Sequence, residues 1–91
     1  MPYRVATDPR FRRRFKKKPP ERQAALERCI ELLADDPFAN RGSLQTKVLQ
    51  VTGERIYYAR IDRSHRVTFH IQGDVIVLRN HCHKEDVLRS P

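Results

Sequence analysis

The stretch around Gly73-Asp74 constrains the fold more than any other part of the chain. On both sides of that pair, apolar and polar residues alternate with a period of two, the period of a strand lying over a core and not of a helix. Gly-Asp between two such runs is a hairpin signal. With Gln72 paired to Val75 across the turn, Val67, Phe69, Ile71, Ile76 and Leu78 share one face. Arg66, Thr68, His70, Val77, Arg79 and His81 share the other, and the pairing sets Arg66 opposite His81. A two-stranded hairpin is marginal alone, so the remaining residues must extend the sheet and cover its apolar face.

They are suited to both tasks. Residues 2–6 alternate and are rich in β-formers, which predicts a short first strand. Asp8 or Thr7 can cap a following helix over 8–18, with Pro9 at its first position and Phe11 and Phe15 four apart on one face. Pro19-Pro20 ends that helix and Pro20 starts a second, on which Leu26, Cys29, Ile30 and Leu33 form an apolar stripe. Asp35-Asp36-Pro37 closes it. Residues 39–46 read as a polar loop, and strand-like runs follow at 47–51 leading into 55–61, at 66–72 and at 75–80. The predicted order is β-α-α-β-β-β: an α+β fold with a mainly antiparallel four-stranded sheet and a helical pair packed on one face.

A chain of 91 residues with this single patterned core is one domain, 1–91. Nineteen Lys+Arg against eleven Asp+Glu give a formal charge of +8, which makes nucleic acid the leading class of partner. The densest block is Arg10, Arg12, Arg13, Arg14, Lys16, Lys17 and Lys18 on the first helix; a phosphate-rich surface is its natural counterpart, with Glu21, Glu27 and Glu31 of the next helix as a competing source of neutralisation. No run is long and apolar enough to cross a bilayer and the start lacks a signal-peptide pattern, so a cytoplasmic protein with no membrane contact is expected. Cys29 and Cys82 lie far apart with no CxxC, which predicts free thiols. His81 and His83, two apart, fall short of the three or four ligands zinc takes, so neither metal nor cofactor is expected.

Arginine and histidine together on one sheet face define a narrow chemistry. Guanidinium groups bind phosphate bidentately and stabilise charge developing on phosphorus, and imidazole can give or take a proton near neutral pH. Those are the parts of a ribonuclease, because RNA supplies its own nucleophile in the 2′-hydroxyl.

The element order and three segments carry a resemblance: Leu32-Leu33-Ala34-Asp35-Asp36-Pro37-Phe38, the run Ala59-Arg60-Ile61-Asp62-Arg63-Ser64-His65-Arg66-Val67, and the ending His83-Lys84-Glu85-Asp86-Val87-Leu88-Arg89. They resemble the RelE/ParE toxin superfamily, closest to its RelE and YoeB mRNA-interferase branch. The resemblance implies the toxin of a type II toxin–antitoxin pair: an endoribonuclease that enters the ribosomal A site and cuts mRNA by metal-independent 2′-hydroxyl attack. Its implied partners are an antitoxin, in a hetero-oligomer, and mRNA with ribosomal RNA.

Carried over by position, Arg66 matches the arginine that contacts the scissile phosphate and Arg60 a second arginine facing RNA. His83 and Lys84 match an acid or charge stabiliser after the last strand, and Lys47 falls in the basic stretch before the second strand. Tyr58, Arg79, Arg13 and Lys17 complete the expected RNA-binding set. Leu88 stands where the ribonucleases often keep a terminal tyrosine, so that role is either missing or moved to Tyr57 or Tyr58. The loop carboxylate that serves as base in YoeB-like members has no counterpart, Gln45 being nearest, so His81 or His83 would have to supply the base; His65 reads as a turn residue or partly buried histidine. The alternative within the superfamily is a ParE-like toxin that binds DNA gyrase and cuts no RNA.

Overall fold

The computed structural model describes residues 3–38, 46–52 and 54–87. The N-terminal half runs β1 (Arg4–Thr7), α1 (Pro9–Lys16) and α2 (Pro20–Asp35). Its boundaries follow from capping chemistry. The Asp8 carboxylate accepts the Arg10 N–H at 2.8 Å, and Pro9, with no N–H to leave unsatisfied, occupies the first turn. Pro20 likewise opens α2. Four strands follow, β2 (Lys47–Thr52), β3 (Glu54–Arg60), β4 (His65–Gln72) and β5 (Val75–His83), and a single 3-10 turn over Lys84–Asp86.

The sheet therefore has five strands, in the order β1-β5-β4-β3-β2, where the sequence predicts four. Residues 47–60 are not one extended run: Thr52 pairs with Glu54, so the chain doubles back and β2 lies antiparallel to β3. β1 is the parallel exception, pairing with β5 from Arg4↔Val75 to Thr7↔Leu78. Arg4 reinforces that edge by reaching Asp74 at 3.1 Å. The rest of the predicted 39–46 loop, Gln45 included, and Leu88 and Arg89 lie outside the described residues.

Both helices cover one face of the sheet. Phe11 of α1 and Leu26, Cys29 and Leu33 of α2 pack with Ala59, Val67, Phe69, Ile76 and Leu78, all nearly solvent-free, and Phe15 and Ile30 flank this core. The predicted apolar sets are these residues. Burial pushes the Cys29 thiol up to about 12, which leaves it a small apolar core residue.

The hairpin forms as predicted near its turn, with Gln72↔Val75, Ile71↔Ile76 and Phe69↔Leu78, and Gly73 in the left-handed region at φ +61°. Beyond Phe69 the pairing steps to Thr68↔Asn80 and Arg79 is left as the extra residue of a bulge. This corrects the predicted faces. Arg66 lies opposite Cys82, and His81 lies opposite Val67, on the helix side. β5 also continues three residues past its predicted end at Asn80, so His81 and His83 are strand residues and His83 closes the strand rather than following it.

Candidate nucleic-acid and proton-transfer site

Two groups of functional side chains gather at one end of the sheet, where β3 ends, β4 begins and β5 ends. The first is arginine-rich. Arg60 and Arg66 are direct cross-strand partners, and Tyr58 with its neighbours Lys47 and Thr68 lies on the same side. Strand alternation puts this set on the face away from the helices. The face is not an open polar floor. Ile56, Thr68 and His70 are buried on it. Arg79 donates to Nδ1 of His70 at 3.1 Å, which fixes the proton of the neutral ring on Nε2. Tyr57 is excluded from a stacking role because its ring lies 5.5 Å from Phe69 and 5.2 Å from Phe38, in the opposite layer; Tyr58 is the tyrosine on the arginine side.

Arg66 does more than line a surface. Its Nη1 donates to the carbonyl oxygens of Asp62 at 2.8 Å and of His65 at 3.0 Å, so the guanidinium closes the turn that joins β3 to β4. The remaining N–H groups keep their donor capacity for a ligand. Arg60 is half-buried, and its buried Nε has no hydrogen-bond partner among the described residues.

The second group is a histidine cluster. The rings of His65 and His83 stand edge-to-face at 5.6 Å and those of His65 and His81 at 5.8 Å. Asp62 organises the cluster: one carboxylate oxygen accepts from Nδ1 of His65 at 3.0 Å and from the backbone N–H groups of Ser64 and His65 at 2.8 and 2.9 Å. The other oxygen faces Arg22 of α2 at 3.7 Å. Partial burial works to raise the Asp62 carboxyl, but the hydrogen bonds from Ser64 and His65 and the charge of His65 outweigh it and hold it below its usual value.

His81, predicted to join Arg66, is instead 5% exposed, and neither ring nitrogen has a hydrogen-bond partner among the described residues. Burial, and then the positive charges of Lys18, His65 and Arg22, push it down to about 4, so it is a neutral ring at physiological pH. His83 is more accessible, and its Nδ1 accepts the Glu85 N–H at 3.2 Å, capping the 3-10 turn. Lys84 is exposed, its backbone N–H tied to the Ser64 carbonyl at 2.7 Å. Burial, assisted by Asp86, raises the half-buried Cys82 thiol. Among the described residues no three His, Cys, Asp or Glu side chains converge to hold a metal ion.

Apart from these, α1 carries a continuous cationic surface. Arg10, Arg13, Arg14 and Lys17 line one cleft and Pro9, Arg12, Arg13 and Lys16 another. Asp8 faces Arg10 at 3.7 Å, and no ion pair with Glu21, Glu27 or Glu31 offsets α1 among the described residues. Arg14 alone is drawn inward, its Nη1 donating to Oδ1 of Asn80 at 2.8 Å beside the β5 bulge. Among the described residues no helix is long and apolar enough to cross a membrane.

The sequence matches no protein-family model and no curated protein. Solved structures do match. The RelE–RelB complex of Pyrococcus horikoshii aligns over 92% of this chain and 97% of its own at TM-score 0.76 and 20% identity. The RelBE2 toxin–antitoxin complex of Mycobacterium tuberculosis aligns over 92% and 100% at TM-score 0.74 and 23% identity. The YoeB dimer of Staphylococcus aureus aligns over 86% and 92% at TM-score 0.67 and 14% identity. Coverage of more than nine-tenths of this chain at these TM-scores gives the chain the fold of the RelE-type toxins.

Proposed function

We propose that this chain is the toxin of a type II toxin–antitoxin pair and an endoribonuclease that cuts mRNA in the ribosomal A site by attack of the 2′-hydroxyl on the adjacent phosphate. What supports the reading most is the cross-strand pair Arg60 and Arg66 at the sheet end that also carries His83 and Lys84. Two guanidinium groups side by side suit a phosphate whose charge grows as the 2′-oxygen attacks. Lys84 would serve the leaving oxygen with its charge, and His83, whose Nδ1 caps the turn, would offer it the Nε2–H as a hydrogen bond without giving up the proton. His81 acts as a neutral support for the neighbouring ring. Tyr58 is the candidate for stacking on a base, and Lys47, Arg79, Arg13 and Lys17 for phosphate contacts along the message or ribosomal RNA.

Such a reaction takes place where translation does, in the cytoplasm. The Pyrococcus horikoshii and Mycobacterium tuberculosis structures named above are toxin–antitoxin complexes, and an antitoxin for this chain would present carboxylates to α1 and cover the arginine pair. The chemistry asks for no metal or cofactor. The test is primer extension on a defined mRNA in a purified translation system, with magnesium kept at the level that holds the ribosomes together. New 5′ ends at fixed codon positions are expected. Arg66→Ala should slow cutting by on the order of 10²–10³-fold, the usual cost of removing one charge-stabilising donor. Cutting at the parental rate by that variant would refute the assignment of Arg66.

A further inference from the structure

A guanidinium stabilises a developing charge best when it is held in place before the charge appears, because no reorganisation is then needed at the moment of reaction. The contacts that hold Arg66 lead back to one side chain. Nη1 of Arg66 donates to the Asp62 carbonyl at 2.8 Å and to the His65 carbonyl at 3.0 Å, so the guanidinium stands where the turn between β3 and β4 puts those two oxygens. The turn is in turn closed by the Asp62 carboxylate. A single oxygen, Oδ1, accepts the N–H groups of Ser64 and His65 at 2.8 and 2.9 Å and Nδ1 of His65 at 3.0 Å, which leaves the lone pair of that ring on Nε2. Backbone pairing adds to the closure, with the Ile61 N–H meeting the His65 carbonyl at 3.0 Å.

Resting on the ribonuclease reading, we propose that Asp62 is a positioning residue for the reaction: its carboxylate closes the turn and thereby sets the backbone carbonyls from which the Arg66 guanidinium is presented to the phosphate. Asp62 itself touches no substrate in this scheme. Its side chain and its carbonyl face different ways. The carboxylate lies toward α2, where Oδ2 faces Arg22 at 3.7 Å, and the carbonyl takes its hydrogen bond from a side chain whose strand position is on the other face of the sheet. The turn is the element that both faces share, and it carries the link between them.

The same contacts say what Asp62 supplies. One oxygen receives three donors at 2.8 to 3.0 Å, whereas the cation at the other oxygen stands beyond hydrogen-bond reach in a partly exposed pair. The placement of an oxygen therefore outweighs the charge. Two variants separate these contributions. Asp62→Asn keeps an oxygen of the same reach for the Ser64 and His65 N–H groups and removes the charge. Asp62→Glu keeps the charge but carries it one methylene farther out, past the donors of the turn.

The experiment measures both variants in the translation assay, with urea unfolding of each to show that folded protein is being read. At saturating programmed ribosomes Asp62→Asn should cut within about threefold of the parent, and Asp62→Glu on the order of 10–10²-fold more slowly. The ribosome concentration giving half the maximal rate should stay within about twofold in both, because the cationic side chains of α1 are untouched. The deciding comparison is made in the Arg66→Ala background. A residue that acts only through Arg66 has nothing left to position there, so adding Asp62→Glu should slow Arg66→Ala by less than about twofold. Should Asp62→Glu not fold, Asp62→Ala, which removes the acceptor without adding bulk, takes its place in the cycle. Equal slowing in the two backgrounds would overturn the proposal, as would Asp62→Glu at the parental rate or Asp62→Asn as slow as Asp62→Glu; each of these leaves the ribonuclease reading intact. Arg66→Ala cutting as fast as the parent, or a parent that cuts no RNA, would take down the reading on which the proposal rests, and the proposal with it.

Discussion

Replacing His81 with phenylalanine should remove most of the acid sensitivity of the fold between pH 7.5 and 5. In the native chain the ring is 5% exposed, has no hydrogen-bond partner among the described residues and faces Lys18 and Arg22, and burial with those charges lowers it from 6.5 to about 4. Above pH 6.5 the residue is neutral whether the chain is folded or not, and it contributes no pH dependence. As the pH falls below that value the unfolded chain takes up a proton that the folded one refuses, so stability is lost until about pH 4. At about 1.4 kcal/mol per unit, the full loss approaches about 3 kcal/mol, of which about 2 kcal/mol has gone by pH 5. Domains of this size hold roughly 5–14 kcal/mol in total. Urea unfolding at the two pH values reads the effect: with a slope near 1 kcal/mol per molar, the parental midpoint should fall by about 2 M more than that of His81→Phe. Phenylalanine keeps a ring against His65 and cannot titrate, and Asp62, whose lowered carboxyl titrates in a more acid window, contributes equally to both chains. Parallel midpoint losses in parent and variant would refute the reasoning.

Further outcomes follow from other sites. Gly73 sits at φ +61° with open space where a Cβ would project, so Gly73→Ala meets backbone strain and no collision; thermal unfolding should show a loss of about 1 kcal/mol, and Gly73→Asn a smaller one. Asp8→Ala removes the acceptor of the Arg10 N–H and should cost about 1 kcal/mol in the same assay. Arg13→Ala and Lys17→Ala, on the open side of α1, should weaken RNA binding across all sequences. Each should also flatten the dependence of log affinity on log salt by about 0.7 for every phosphate it no longer neutralises; an unchanged slope would remove α1 from the RNA-binding surface.

Much of this molecule was legible residue by residue. The helix starts at Pro9 and Pro20, the Gly73 turn, the core stripe of α2 and the apolar side of the hairpin all follow from local chemistry, because capping, φ restriction and alternation act within a few residues. Arg60 and Arg66 are singled out through the family resemblance, and that they are cross-strand partners is a finding of the structure. The side of His81 does not. Alternation carried on through Arg79 puts it beside Arg66, and the bulge there inverts everything beyond it. No local signal marks the bulge; Asn80 Oδ1 accepts both the His81 N–H and Nη1 of Arg14, and the second partner comes from a helix 66 positions earlier.

His65 shows the same division. Its neighbourhood in sequence suggests only a turn, which is correct as far as it goes, since the Asp62 carboxylate does close a turn on Ser64 and His65. What the sequence does not show is that the ring meets His81 and His83 from β5, and that Arg22 of α2 faces the other oxygen of Asp62. The sequence by itself determined the two helices, the Gly73 hairpin turn, the apolar residues of the core and the excess of positive charge, each a sum of short-range preferences or of composition. Only the tertiary structure decided which histidines meet, which is buried and which keeps a free lone pair, because those properties depend on register and burial across strands far apart in the chain.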